Sequence, residues 1–106
     1  MNIALETGLG EEIFKRLNTI FSVTPEVEEV VVFGSRAKGN FSEGSDIDLA
    51  VKGKGITLTT ILDLMVRIEM LGLLYKVDIQ NYNRIANKEL TDHINRVGKT
   101  LWKRSH

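Results

Sequence analysis

Two aspartates separated by one residue, Asp46 and Asp48, are the residues of this sequence whose spacing most strongly suggests chemistry. They alternate with Ile47 and Leu49, and side chains on a β-strand point to alternate faces, so both carboxylates are predicted to lie on one face of a strand. Two like charges side by side raise the pKa of at least one of them unless a cation lies between them. A hard divalent cation with oxygen ligands, such as Mg2+, would remove that cost.

A glycine–serine pair, Gly34-Ser35, follows the β-branched and aromatic run Val30–Phe33, which is predicted to be a strand. A turn of this kind offers main-chain N–H groups and a hydroxyl to phosphate oxygens, especially if it opens a helical turn. Carboxylates that could hold a metal ion and a turn that could hold phosphate, on adjacent strands, suggest phosphoryl or nucleotidyl transfer.

The predicted loop from Arg36 to Gly44 carries two basic residues close to this turn. We interpret Arg36 as a phosphate ligand because a guanidinium binds phosphate oxygens in bidentate fashion. The expectation that follows is that Arg36→Ala weakens nucleotide binding and barely changes the melting temperature of the nucleotide-free protein. Lys38 and Ser45 fit phosphate binding and an ordinary loop role equally well.

A third carboxylate, Asp78, lies between Val77 and Ile79 in a strand predicted over Leu73–Gln80. An isolated aspartate in a central strand is costly unless it is paired or liganded. Asp63 is a weaker candidate, since it falls in the middle of a predicted helix and is expected to face solvent.

These motifs together resemble the signature of the polymerase-β-like nucleotidyltransferase superfamily. The resemblance consists of Gly34-Ser35, ten intervening residues and Asp46-Ile47-Asp48-Leu49, and it extends with identifiable motifs from Val30 to about Ile79. Within that superfamily the segments Gly34–Gly39 and Gly44–Leu49 are most similar to the minimal nucleotidyltransferases, known as MNT.

The resemblance implies a Mg2+-dependent enzyme that transfers a nucleoside monophosphate, AMP from ATP, to a hydroxyl acceptor. Two ions would be held by the residues that are also catalytic, Asp46, Asp48 and Asp78. The nucleotide would be bound by Gly34, Ser35, Arg36, Lys38 and Ser45.

The resemblance also implies a partner. Minimal members of the superfamily are commonly encoded beside a helical protein of the HEPN type, and several such pairs act as toxin and antitoxin, with AMP added to a tyrosine of the partner. This adenylylating antitoxin is the leading interpretation. The alternatives are a non-catalytic antitoxin that masks its partner sterically and a purely structural domain of the same fold.

Hydrophobic periodicity predicts the elements that position these residues. Helices are expected over Glu11–Ser22, over Leu58–Leu71 and around Leu90–Val97, and Lys99–Lys103 is read as either an edge strand or a helical tail. We therefore expect a single α/β domain over residues 1–106, with a mixed sheet of about four strands and helices chiefly on one face. The strand order is implied by the resemblance.

The predicted helix Leu58–Leu71 is apolar over more of its circumference than one core contact requires. This favours a second packing surface, for a partner or for another copy of the chain. The competing explanation is that both faces of the helix are buried inside the monomer.

Composition limits the remaining possibilities. The formal net charge is zero, so direct nucleic-acid binding is not expected, and no apolar run is long enough for a membrane span. The chain has no cysteine, which excludes disulfides and thiolate metal sites, and its amino terminus lacks the features of a signal peptide. The expected location is the cytoplasm.

Overall fold

The computed structural model describes residues 3–41 and 45–105, apart from the side chains of Leu5 and Glu6. These residues form helices, strands and one 3-10 turn. In chain order they are α1 (Ile3–Thr7), α2 (Glu11–Ser22), β1 (Glu29–Phe33), α3 (Gly34–Lys38), β2 (Ile47–Lys52), α4 (Leu58–Glu69), β3 (Val77–Asn81), the 3-10 turn Tyr82–Arg84, α5 (Lys88–Val97) and β4 (Lys99–Lys103).

The four strands form one mixed sheet in the order β3-β2-β1-β4. Strand β1 pairs antiparallel with both β2 and β4, whereas β2 and β3 run parallel. The register places Phe33 opposite Asp48, and Asp48 opposite Asp78. The α/β class and the mixed four-stranded sheet predicted from the sequence are therefore confirmed.

The two faces of the sheet are covered unequally. One face carries the main core, in which Leu17 and Phe21 of α2 and Leu64 of α4 pack against Val32 and Leu49. The other face carries a smaller cluster, in which Ile94 of α5 packs with the sheet residues Val31, Phe33 and Ala50. The two longest helices thus share one face, as expected, and the carboxylates face the more thinly covered side.

Helix starts follow the capping residues that the sequence offers. Thr57 and Thr60 form a reciprocal capping box at the start of α4, and the Asn87 side chain accepts hydrogen bonds from the first main-chain N–H groups of α5. Helix α4 ends at Glu69, two residues earlier than predicted, and Gly72 follows with a φ of 67°.

Strand β3 is shorter than predicted because its neighbour β2 begins only opposite Val77. The Ile47 N–H donates to the Lys76 carbonyl at the start of the β2–β3 ladder, so residues 73–76 precede the point where β2 begins. Of the two alternatives for the last segment, the strand is correct. Helix α1 and the 3-10 turn were not predicted.

Helix α4 buries one side and exposes the other. Ile61, Leu64 and Ile68 point into the main core, whereas Leu58 is 73% exposed and Leu62 is 52% exposed. The explanation that both faces are buried inside the monomer is therefore wrong. An apolar stripe of α4 remains on the surface of this chain.

Arg104, which follows β4, binds the connection between α2 and β1. Its guanidinium donates to the carbonyls of Phe21, Thr24 and Val27, at 3.2, 3.0 and 3.0 Å, and stacks on Trp102 with 4.8 Å from Cζ to the ring centroid. We expect Arg104→Ala to lower the free energy of unfolding by about 1–3 kcal/mol, since these carbonyls lose a charged donor. Chemical denaturation checks this against Lys103→Ala, an exposed neighbour expected to be neutral.

Candidate active site

Three aspartates converge at one end of the sheet, on the face opposite the main core. Asp48 lies on β2 and is the register partner of Asp78 on β3, so their Cα atoms lie about 4.8 Å apart, the normal strand spacing. Their neighbours Ile47, Leu49 and Ile79 point into the main core, which turns the two carboxylates to the other face. Asp46 lies just before β2 and is exposed.

The electrostatics of Asp48 reflect this convergence. Partial burial raises the pKa of Asp48, and the negative charges of Asp78 and Asp46 raise it further, while His93 acts in the opposite direction. Asp78 and Asp46 are therefore each close enough to Asp48 to affect its ionisation. The exact pairing of Asp48 with Asp78 follows from the register, whereas the sequence placed these two carboxylates together only through the family resemblance.

Gly34 is held directly against the Asp48 carboxylate. It connects β1 to α3 with a φ of 73°, and a Cβ added there would lie 2.5 Å from Asp48 Oδ2. Two independent reasons therefore require glycine at this position, a left-handed backbone conformation and the closeness of the carboxylate. The Gly34-Ser35 turn and the aspartates belong to one site.

The segment after Gly34 is helical where the sequence suggested a loop. Helix α3 spans only Gly34–Lys38, with Gly39 as its left-handed C-cap. Ser35 is half-buried at its start, directly after Gly34, whereas Lys38 is exposed at its end. The expectation of a loop beginning at Arg36 is thus wrong for its first residues, and the loop residues 42–44 lie outside the described part of the chain.

We expect Gly34→Ala to reduce stability by about 1–2 kcal/mol from the left-handed φ alone, and to displace the Asp48 carboxylate in addition. The matched control is Gly39→Ala, because Gly39 has a φ of 82° but, among the residues that the structure describes, no heavy atom lies within 4 Å of an added Cβ. Thermal unfolding should show Gly34→Ala as the more destabilised of the two. Equal losses of stability in both variants would mean that the contact with Asp48 does not contribute to the cost of Gly34→Ala.

Arg36 differs most from its sequence-based interpretation. It is 1% exposed, and its guanidinium donates to the Thr7 carbonyl at 2.9 Å and twice to the Ser45 carbonyl, at 3.0 and 3.2 Å. A buried arginine with these main-chain partners holds neighbouring segments together. The expectation that Arg36 adds little to the nucleotide-free fold does not fit this placement.

Two aromatic rings complete the surroundings of Arg36. Its Cζ lies 5.0 Å from the ring centroid of Phe41 and 4.8 Å from that of Tyr75. Arg36 therefore connects α1, the segment that leads into Asp46, and the segment that leads into β3. These contacts make it a positioning residue for two of the three carboxylates, and the periodicity of the sequence carried no sign of them.

His93 is the site residue that sequence reasoning missed. It is half-buried on α5 with its ring edge-on to Phe33, 6.2 Å between centroids, and it lowers the pKa of Asp48. The available signal was its position beside Leu90 and Ile94 on the apolar stripe of α5. That signal does not specify what the stripe covers.

The donor atoms of the three carboxylates are of the type that a hard divalent cation prefers. They offer only oxygen donors, and their mutual repulsion at Asp48 is the cost that a cation would remove. Within residues 3–41 and 45–105, however, no three potential metal-ligating side chains are gathered tightly enough to enclose an ion.

A mixed sheet whose neighbouring strands carry facing aspartates beside a glycine–serine turn is the architecture of a nucleotidyltransferase. Residues 15–106 match the family described as Polymerase beta, Nucleotidyltransferase, and the chain belongs to that family. No curated protein matches the sequence.

Several solved structures share this fold. One is the crystal structure of a toxin–antitoxin with AMP-PNP, with a TM-score of 0.69 and 22% identity over 86% of this chain and 73% of that chain. The MntA-HepT toxin–antitoxin has a TM-score of 0.58 and 22% identity, covering 94% of this chain and 72% of that one. In a third, the tri-AMPylated Shewanella oneidensis HEPN toxin in complex with MNT antitoxin, the TM-score is 0.54, the identity 21% and the coverage 97% and 74%. At these identities the likeness concerns the fold.

No helix in the described ranges combines the length and apolarity that crossing a membrane requires.

Proposed function

We propose that this chain is a protein nucleotidyltransferase that moves AMP from ATP to a tyrosine hydroxyl of a HEPN-type partner, and so acts as an antitoxin. The observation that carries the proposal is the placement of Asp48 and Asp78 as register partners, with Gly34 against Asp48 and Asp46 at the strand entrance. The fold neighbours support the biological role, because they include MNT in complex with an AMPylated HEPN toxin.

In this reaction the acceptor oxygen forms a bond to the α-phosphorus, the bond from that phosphorus to the β-phosphate oxygen breaks, and pyrophosphate leaves. Asp78 accepts or directs the proton of the attacking hydroxyl. Gly34 and Ser35 lie where the phosphates would approach the carboxylates. Arg36 holds the surrounding segments in place. Lys38 and Ser45 remain candidate nucleotide ligands.

Asp46, Asp48 and Asp78 would hold Mg2+. When bound, Mg2+ supplies charge neutralisation at the attacking and leaving oxygens. The need for it follows from the chemistry of the residues, since a triphosphate could not approach three uncompensated carboxylates closely.

The test uses the purified chain, the protein encoded beside it in the genome as the candidate HEPN-type partner, Mg2+ and ATP labelled at the α-phosphate. Transfer of label to a partner tyrosine, located by mass spectrometry, is the expected result. A complex that forms and neutralises the partner without any label would instead establish the steric antitoxin. The exposed apolar stripe of α4 is the observation that favours this second candidate, since it suits a binding subunit as well.

A further inference from the structure

The two edges of the sheet are not alike. Strand β4 carries Lys99 and Lys103 at its ends, the kind of charge that discourages further strand pairing. Strand β3, at the opposite edge, has the sequence Val-Asp-Ile-Gln-Asn and carries no lysine. Its edge is therefore the one suited to accept another strand.

The free hydrogen-bonding groups of β3 can be identified from the ladder. The Ile47 N–H donates to the Lys76 carbonyl, so the main-chain groups of Lys76, Asp78 and Gln80 face β2. Those of Val77 and Ile79 then face outward. Among the described residues, neither makes a main-chain hydrogen bond outside the sheet.

A groove of about 560 Å³ runs along this edge, between β3 and α4. Met65 and Ile68 of α4 line its wall with Leu73 and Tyr75, and Asp78 of the candidate active site also lines it. The groove is thus mainly apolar on the α4 side, where Glu69 is its charged member, and it reaches Asp78 of the candidate active site. Its charged lining residues are two acids, Glu69 and Asp78, and one base, Lys76, a balance complementary to an uncharged or basic occupant.

We propose that the outer edge of β3 binds the acceptor as an extended segment, adding a fifth strand to the sheet and placing the acceptor tyrosine beside Asp78. The proposal rests on the proposed function for the identity of the tyrosine. Side chains of the added strand alternate, so one set enters the apolar groove beside Met65 and the other lies on the carboxylate face. The acceptor tyrosine is accordingly flanked on both sides by apolar residues.

The probe is a blocked nine-residue peptide of alternating valine and threonine, with one central tyrosine in a threonine position and a lysine at each end. Fluorescence anisotropy measures its binding to the full chain. N-methylation of the peptide nitrogens that face β3 should weaken binding at least fivefold, whereas methylation of the alternate nitrogens should not. Moving the tyrosine onto the valine face should abolish transfer to it without abolishing binding.

Variants of the chain test whether the peptide binds in this groove. Met65→Lys places a charge on the groove wall and should weaken peptide binding at least fivefold. Val66→Lys is the matched control, because Val66 is 56% exposed on the same helix but does not line the groove. Hydrogen exchange at the amides of Val77 and Ile79 should slow when the peptide is present.

Three outcomes would overturn the proposal: equal effects of the two methylation patterns, equal effects of Met65→Lys and Val66→Lys, or a self-associated chain in which the Val77 and Ile79 amides are already protected. The last would assign the edge to a second copy, as sedimentation would show. Failure of the proposed function looks different. Peptide binding would keep its dependence on methylation, while no label would reach either the peptide or the HEPN-type protein.

Discussion

Replacing Asp48 with asparagine is expected to abolish nucleotidyl transfer while leaving the nucleotide-free protein as stable as the parent or more stable. Asp48 lies between Asp78 on the neighbouring strand and Asp46 at the strand entrance, so its charge is unfavourable in the empty fold. Asparagine keeps the shape and removes that charge. We expect the same loss of transfer for Asp46→Asn, with a smaller effect on stability because Asp46 is exposed.

The pH dependence has a defined sign. Burial and the neighbouring carboxylates raise the pKa of Asp48 above its unfolded value, so the folded state holds this proton more tightly than the unfolded state. The contribution of Asp48 to the free energy of unfolding is therefore present at low pH. It is lost as the pH rises through the pKa that Asp48 has in the folded state. The gain from Asp48→Asn should accordingly be full above the folded pKa of Asp48 and should shrink as the pH falls towards the ordinary value of 3.8.

Thermal unfolding without nucleotide and a label-transfer assay measure the two effects. Asp63→Asn is the matched control, since it makes the same chemical change on the exposed side of α4, where Asp63 forms a surface ion pair with Arg67 at 3.0 Å. That control should retain transfer. Full activity in Asp48→Asn would refute the assignment of the site.

Replacing Arg36 with alanine is expected to cause the largest loss of stability of any substitution considered. The guanidinium is 1% exposed and donates to the carbonyls of Thr7 and Ser45. Removing it takes this donor from the buried carbonyl of Thr7 and the half-buried carbonyl of Ser45, which costs about 2–4 kcal/mol for the two groups. For a domain of this size we expect the melting temperature to fall by roughly 10–20 °C.

Lys38→Ala is the control for Arg36→Ala, because Lys38 lies on the same short helix and is exposed. It should shift the melting temperature only slightly. Arg36→Lys separates a positioning role from direct nucleotide binding, since lysine keeps the charge but cannot reach both carbonyls in the same way. A stable Arg36→Ala protein with weakened nucleotide binding would restore the interpretation of Arg36 as a phosphate ligand.

The sequence alone determined the chemical elements of this site. Paired aspartates alternating with apolar residues predict a strand with carboxylates on one face, and a glycine–serine pair after a buried strand predicts a tight turn. Strand β2 begins only at Ile47, so Asp48 lies on the strand and Asp46 just before it. Local residues also determine where two helices begin, at Thr57 and Asn87, and where α5 ends, at Gly98. Capping depends on residues within one turn of the helix end. These features need no information from distant parts of the chain.

Only the tertiary structure decided how those elements act together. The register that sets Asp48 beside Asp78 depends on how β2 and β3 align, and the burial of Arg36 depends on Thr7, 29 residues away in the chain. Likewise, His93 faces the site only because α5 packs across the more open side of the sheet. Local periodicity specifies which side of an element is apolar, but the neighbour that covers it is selected by packing of the whole chain. That is why the carboxylates could be found from sequence, whereas the residues that hold them in place could not.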